Sequence, residues 1–296
     1  MFILVLGGEG MLGHKMFQVL RKRYPDTSCS VLGRLDDPFY SKIDIYRHGY
    51  VYERVDATNI ADLEKKLCEW RPAFIVNCIG IVKQRSEANA PIPSITLNSL
   101  LPHKLAQIAA QWNGRVIHFS TDCVFSGLHG SYTENDHSDA QDLYGKSKFL
   151  GELIDDNALT LRTSIIGREL SQFRSLLEWF LAQRGKCVHG YRKALYSGVT
   201  TNHLSELVAD LIADYPTLSG LYQLTGRTIS KYELLCLLRD AYDMDTQIVP
   251  DDEECCDRSM IGDKFRSATG YVAPPWSELI SEMAGDPTPY EDWRNR

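Results

Sequence analysis

Phe2-Ile3-Leu4-Val5-Leu6-Gly7-Gly8-Glu9-Gly10-Met11-Leu12-Gly13, running on through His14 to Arg23, is the stretch that decides the fold. Phe2 to Leu6 is a short apolar run, the pattern of a strand buried on both faces. The turn after it satisfies Gly-x-x-Gly-x-x-Gly through Gly7, Gly10 and Gly13, and Gly-x-Gly-x-x-Gly through Gly8, Gly10 and Gly13. His14 to Arg23 then reads as a helix, with Met16, Phe17, Val19 and Leu20 available for its buried side. Strand, glycine turn and helix in that order make up the dinucleotide fingerprint. The glycines let backbone N–H groups approach a pyrophosphate, and the helix N-terminus adds a favourable field for that anion. The competing reading is a plain strand-to-helix turn.

The next strand bears on which dinucleotide binds. Ser28 to Leu32 predicts a strand whose end falls where an acidic residue would hold the adenosine ribose 2′-OH of NAD. Gly33-Arg34 stands there instead. A guanidinium suits a 2′-phosphate, because its planar fork makes paired, charge-assisted hydrogen bonds. The reading is NADP(H) over NAD(H). NAD(H) stays open because Asp36 and Asp37 lie close enough to reach a ribose, and Arg34 also reads as a solvated loop arginine.

Strands and helices continue to alternate without repeats or low complexity. Strands are predicted at Tyr50 to Val55, Ala73 to Ile79, Arg115 to Ser120 and Leu159 to Ile165. Helices are predicted at Ile60 to Trp70, Leu101 to Trp112 and around Tyr144 to Leu150. This rhythm argues an α/β protein with a doubly wound parallel sheet. Ligands of such sheets bind beyond the carboxyl ends of the strands. The glycine turn, Asn77 to Gly80 and Ser120 to Asp122 all fall there. After Gly167 the pattern loosens. Helices at Ser175 to Gln183, His203 to Asp214 and Ser230 to Ala241, the last capped by Ser230 with Glu233 three residues on, predict a smaller mixed C-terminal lobe.

Composition fits a cytoplasmic enzyme. The chain has 296 residues, 44% hydrophobic and 24% charged, with a net charge of −7. That length gives ample core, and an acidic balance without a basic tract speaks against nucleic-acid binding. The apolar start is too short for a membrane span and lacks a basic flank. The eight cysteines show no Cys-x-x-Cys pair and no zinc spacing, so reduced thiols and no metal are expected.

One pair of residues carries chemistry. In Tyr144-Gly145-Lys146-Ser147-Lys148, helical i,i+4 spacing puts a phenol and an ammonium on one face. A cation beside a phenol lowers the tyrosine pKa and makes a better acid or base near neutrality. The bland alternative is a core-edge tyrosine next to a solvated lysine. Ser120-Thr121-Asp122, upstream, supplies a hydroxyl partner.

Together these residues identify a resemblance. The glycine turn, Ser120-Thr121-Asp122-Cys123-Val124-Phe125-Ser126-Gly127, Tyr144 to Lys148 with Gly151-Glu152, and Leu161-Arg162-Thr163-Ser164 resemble the extended short-chain dehydrogenase/reductases. Within them the likeness is to the dTDP-4-dehydrorhamnose reductase-like branch, over nearly the whole chain. The resemblance implies a Rossmann-type NADP-binding domain at 1–166, also using 195–222, and a substrate-binding lobe at 167–194 and 223–296. It implies Thr121, Tyr144 and Lys148 as catalytic residues. Gly7, Gly10, Met11, Leu12, Gly13, Asp56, Ala57, Cys78, Ile79 and Gly80 are the implied cofactor contacts, with Tyr144 and Lys148, and Arg34 joins them from the reading of the second strand. Thr121, Asp122, Val124 and Phe125 are the implied substrate contacts. The implied activity is reduction of a nucleotide-linked 4-keto-6-deoxysugar, and a homodimer is left open. An epimerase or dehydratase of the same fold is the first rival. Dehydratases often carry Asp-Glu after the catalytic threonine, where this chain has Asp122-Cys123. A non-catalytic NADP-binding regulatory subunit, like that of methionine adenosyltransferase, is the second. The chain departs from the branch at Asn77 to Gln84 and at Val199-Thr200-Thr201, which lacks the branch's proline. Both leave the sugar's identity open. Arg162 reads equally as a cleft organiser and a buried ion pair, and His118 reads as a satisfied core histidine.

Overall fold

The computed structural model describes residues 1–47, 50–82 and 89–295. The chain first lays down β1 (Ile3–Leu6), α1 (Met11–Arg23), β2 (Thr27–Ser30), α2 (Pro38–Ser41), β3 (Val51–Tyr52), α3 (Ile60–Trp70), β4 (Phe74–Asn77), α4 (Pro91–Ser94), α5 (Leu101–Ala109), β5 (Arg115–Ser120), α6 (Leu143–Leu150) and β6 (Ala158–Arg162). Then come β7 (Ile165–Ile166), α7 (Leu176–Leu181), β8 (Cys187–Tyr196), β9 (Val199–Thr200), α8 (Thr201–Asp214), β10 (Gly220–Gln223), β11 (Ile229–Ser230), α9 (Lys231–Ala241), β12 (Gln247–Asp257), α10 (Asp263–Thr269), α11 (Trp276–Ala284) and α12 (Tyr290–Asn295).

Seven strands form one parallel sheet in the order β10-β6-β5-β4-β1-β2-β3. The apolar run that begins the chain explains the layering. Side chains alternate across a strand, so Ile3 and Val5 pack with Met16, Phe17 and Leu20 of α1 and Leu204 and Val208 of α8. Leu4 and Leu6 point the other way, onto Leu63 and Leu67 of α3 and Leu101 and Leu105 of α5. Both faces are covered, as a parallel sheet requires. Strand order reverses at β1, between β4 and β2, and that switch point opens the crevice in which such sheets bind ligands.

A second sheet, β11-β8-β12, packs with α7, α9 and α11 around Leu177, Phe180, Leu234, Leu238, Leu279 and Ile280. Ser230 and Glu233 cap α9 reciprocally, as their spacing predicts. No described helix is long and apolar enough to cross a membrane.

Several boundaries differ from the sequence expectation. The strand expected at Tyr50 to Val55 stops after Tyr52, and Arg54 takes a left-handed φ of 57° that ends extended structure. The strand expected at Leu159 to Ile165 divides: Ala158–Arg162 stays in the main sheet, while Ile165–Ile166 pairs with β9. The helix expected from Leu101 begins ten residues earlier, at Pro91, and passes through a widened i→i+5 stretch at Ile95–Leu100. The long pair β8 and β12 was not expected. β12 contains Pro250 and Asp251-Asp252-Glu253-Glu254, a loop-like composition tolerated because this is an edge strand with a register shift between Asp251 and Cys255.

Candidate active site

The glycine turn joins β1 to α1. Gly7 has φ 79°, and a Cβ on Gly13 would lie 2.0 Å from the Gly7 carbonyl oxygen, so Gly13 is required by close backbone approach. Gly10 is different: a Cβ there would meet protein only at 3.5 Å. Gly10 is also the N-cap of α1 and offers no side-chain cap, so the first-turn amides of Met11, Leu12 and Gly13 receive no capping bond from it. Asp56 accepts from the backbone and hydroxyl of Thr58, at 2.9 and 2.7 Å, and Ala57 is buried in the core. Cys78 donates to the Leu6 carbonyl, and Ile79 donates to Asn77 Oδ1. Ile79 covers Gly7, and a Cβ on Gly80 would stand 4.0 Å from Lys148 Nζ. The glycine turn, the loop after β4 and Lys148 are thus contiguous. Lys83 and Gln84, at the far end of that loop, lie outside the described residues.

At the end of β2, Arg34 is exposed and pairs with Asp36 through both Nε and Nη2. Its own N–H donates to Asp37.

Thr121 and Tyr144 share a hydrogen bond, and Lys148 follows one turn further along α6. Thr121 ends β5 and is buried; its hydroxyl donates to Asp122 Oδ1 and accepts from the Cys123 N–H, both at 3.1 Å. Asp142 caps α6 by accepting from Gly145 N–H at 2.8 Å, which fixes the helix bearing Tyr144 and Lys148. The lowered tyrosine pKa expected from i,i+4 spacing is not found. Burial, with Cys123 and Asp122 adding, raises the Tyr144 phenol above its ordinary value, against a hydrogen bond with Thr121 that works the other way. Lys148 instead spends its ammonium on the Phe119 carbonyl. Burial lowers its pKa to about 8, against the fields of Glu152 and Cys78.

Asp122 is buried and its pKa is raised, burial outweighing the attraction of Arg258. Val124 and Phe125 point their side chains inward. Both are wholly buried, with Phe125 stacked on Tyr132 at 4.1 Å and Met260 alongside. Any contact they make with a substrate is therefore through their main chain. Arg162 is a buried ion pair: its Nε and Nη2 donate to Glu152 at 2.9 and 2.7 Å, and Ser120 donates to the same carboxylate at 2.6 Å. His118 accepts from Asn77 Nδ2 at 3.1 Å, which puts its proton on Nε2. That nitrogen is buried without a partner among the described residues, so the histidine is only half satisfied. Its pKa lies well below the ordinary value through burial. The described residues contain no cluster able to hold a metal ion.

Comparison with known proteins fits this geometry. The family model described as RmlD substrate binding domain matches residues 1–284. The chain belongs to that family. A relative, methionine adenosyltransferase 2 subunit beta of Xenopus tropicalis, is 22% identical over 262 residues, covering 81% of this chain and 72% of its own. The dTDP-4-dehydrorhamnose reductase of Streptomyces griseus is 27% identical over 167 residues, 54% of this chain and 48% of its own. The solved dTDP-4-dehydrorhamnose reductase of Bacillus anthracis, in complex with NADP, superposes with a TM-score of 0.76 at 19% identity, covering 95% of this chain and 97% of that one.

Three supports of this RmlD-family site escaped sequence reasoning. Asn98, in the widened helical stretch, accepts from Ile81 N–H and donates to the Ile81 carbonyl and to Ser147 Oγ. It ties the loop after β4 to α6, and its signal was a lone amide inside an apolar helical run. Glu152 binds Ser120 and Arg162 together beneath Thr121. His14 donates through Nδ1 to the Gly10 carbonyl at 2.8 Å, and its Nε2 accepts from Tyr290 at 2.8 Å. Beside it, the buried Lys15 pairs with Asp286 at 2.6 Å. The C-terminal segment therefore straps the start of α1, a contact across some 276 residues of sequence that no local pattern announces.

Proposed function

We propose that this chain is an NADP(H)-dependent reductase of a nucleotide-linked 4-keto-6-deoxysugar, resembling a dTDP-4-dehydrorhamnose reductase. It would serve deoxysugar and polysaccharide precursor synthesis in the cytoplasm. The observation that carries this reading is the Thr121–Tyr144 hydrogen bond, with Lys148 one helical turn away beside the loop that covers the glycine turn. The uncapped first turn of α1, with no contact to a Cβ at Gly10 nearer than 3.5 Å, fits the pyrophosphate of a nicotinamide dinucleotide. Arg34 is assigned to a 2′-phosphate, with NAD(H) as the lesser cofactor. Residues 1–166 and 195–222 are assigned to the cofactor, residues 167–194 and 223–296 to the sugar nucleotide, and a homodimer to the assembly.

The bound cofactor supplies the hydride. Tyr144, held protonated by its surroundings, donates a proton to the oxygen of the reduced carbonyl. Thr121 hydrogen-bonds the same oxygen and holds it in place. The Lys148 ammonium binds the nicotinamide ribose, and when drawn toward Tyr144 it eases loss of the phenolic proton. Asp122 stands ready to accept a hydrogen bond from the sugar.

The test is a panel of 4-keto-6-deoxysugar nucleotides with NADPH, followed by loss of the reduced nicotinamide absorbance. Turnover of at least one is expected, and its product distinguishes reduction from epimerisation. A folded protein that binds NADPH and turns over none refutes the reading. The second reading, a regulatory subunit, is favoured by the coverage of the adenosyltransferase subunit relatives. It predicts no turnover and a measurable change in the activity of a methionine adenosyltransferase.

A further inference from the structure

Glu9 has no part in the roles assigned so far. It sits inside the glycine turn, yet its carboxylate reaches out to the end of β2. Glu9 Oε2 accepts from Leu32 N–H at 3.0 Å and from the Tyr40 hydroxyl. The same hydroxyl oxygen accepts from Gly33 N–H at 3.0 Å. Tyr40 packs so closely on Gly33 that a Cβ there would lie 2.2 Å from its ring. A negative charge is therefore pinned two residues from Arg34, at the place where sheets of this type hold the adenosine ribose.

The surroundings sharpen the point. Asp36 takes the Arg34 guanidinium, Asp37 takes its N–H, and Glu53 accepts from Leu35 N–H at 2.8 Å. Four carboxylates thus ring the strand end that offers Arg34. Both hydrogen bonds to Glu9 fall on Oε2, which leaves Oε1 to accept from a ribose hydroxyl.

We infer that Glu9 is a specificity-determining residue: its carboxylate opposes a 2′-phosphate, accepts from a 2′-hydroxyl, and so limits the NADP(H) preference that Arg34 confers. The inference rests on the proposed reading of the glycine turn as a dinucleotide site. Two like charges a few ångströms apart near the surface disfavour each other by about tenfold in binding, and salt screens the effect.

The experiment measures, by calorimetry on the full chain, binding of adenosine 2′,5′-bisphosphate, adenosine 5′-monophosphate, NADPH and NADH to wild type, Glu9→Gln and Arg34→Ala. A glutamine keeps an oxygen to accept from Leu32 and Tyr40, so the turn is preserved and only the charge is lost. In Glu9→Gln the ratio of 2′-phosphorylated to unphosphorylated affinity should rise by about tenfold at low salt and by less at high salt. In Arg34→Ala it should fall. A merely structural Glu9 would change all four affinities together and leave the ratio alone, and that result overturns the inference. If the folded wild type binds none of the four, the dinucleotide reading itself fails and takes this inference with it.

Discussion

Replacing Lys148 with methionine tests how burial tunes this site. Lys148 is 6% exposed, its ammonium bonds the Phe119 carbonyl, and its pKa falls from 10.5 to about 8, chiefly through loss of solvent. A folded-state pKa below the unfolded one means that the unfolded chain binds more protons between the two values. Stability conferred by this group is therefore full above about pH 10.5 and is lost as pH falls through about 8. At 1.36 kcal/mol per pH unit, the gap amounts to about 3 kcal/mol. Other buried groups also titrate in alkali, so the quantity to measure is the difference in unfolding free energy between wild type and Lys148→Met, from urea denaturation along a pH series. That difference should shift toward the wild type by about 3 kcal/mol from neutral pH to about pH 10.5. Function should show the same titration. Above about pH 8 Lys148 loses its charge, and NADPH affinity and kcat/KM should both decline. Tyr144 is not the source of that limb, because its raised pKa keeps the phenol protonated there. Tyr144→Phe should accordingly retain the alkaline decline in NADPH affinity, and Lys148→Met should lack it. Parallel stability curves for wild type and Lys148→Met, or an alkaline limb that survives the substitution, would refute the reasoning.

Three further outcomes are expected. Gly10→Val should abolish NADPH binding in calorimetry while the protein stays folded with a stability loss of about 1 kcal/mol at the N-cap, whereas Gly13→Ala, at 2.0 Å from a carbonyl oxygen, should lower the unfolding midpoint further. Tyr144→Phe should reduce kcat on a keto-sugar nucleotide by about 10²–10⁴, with cofactor affinity little altered in the same preparation. Arg162→Met leaves Glu152 buried and unpaired and should cost about 3–5 kcal/mol in urea denaturation, part of which Glu152→Leu in the same chain should restore.

The candidate site was legible in part. The placing of Tyr144 and Lys148 and the glycine turn was readable because each is a short motif whose spacing is meaningful locally: i,i+4 on α6, and glycines where β1 meets α1. The electrostatics were not. Helical spacing alone gave Tyr144 a cation and a lowered pKa, whereas the fold closes around both groups and moves the two pKa values by desolvation. The inward turn of the Val124 and Phe125 side chains was hidden for a similar reason. A motif gives a position along the chain, but whether an apolar side chain lines a cleft or backs it depends on partners such as Tyr132 and Met260, which come from other segments.

What the sequence by itself determined was the α/β plan. A continuous apolar strand with alternate side chains must be covered on both faces, and β1 with α1, α3, α5 and α8 is that requirement met. Strand-by-strand alternation with helices then leaves a parallel sheet as the consistent arrangement. Only the tertiary structure decided where the acid-rich β12 finds a partner in β8, how Tyr290 reaches His14, and that Glu9 faces the end of β2. These contacts join residues far apart in the chain. The His14–Tyr290 pair draws its energy from a shared low-dielectric space that exists only once the layers have closed, while the exposed β12 and Glu9 contacts need only that folding bring their partners within reach.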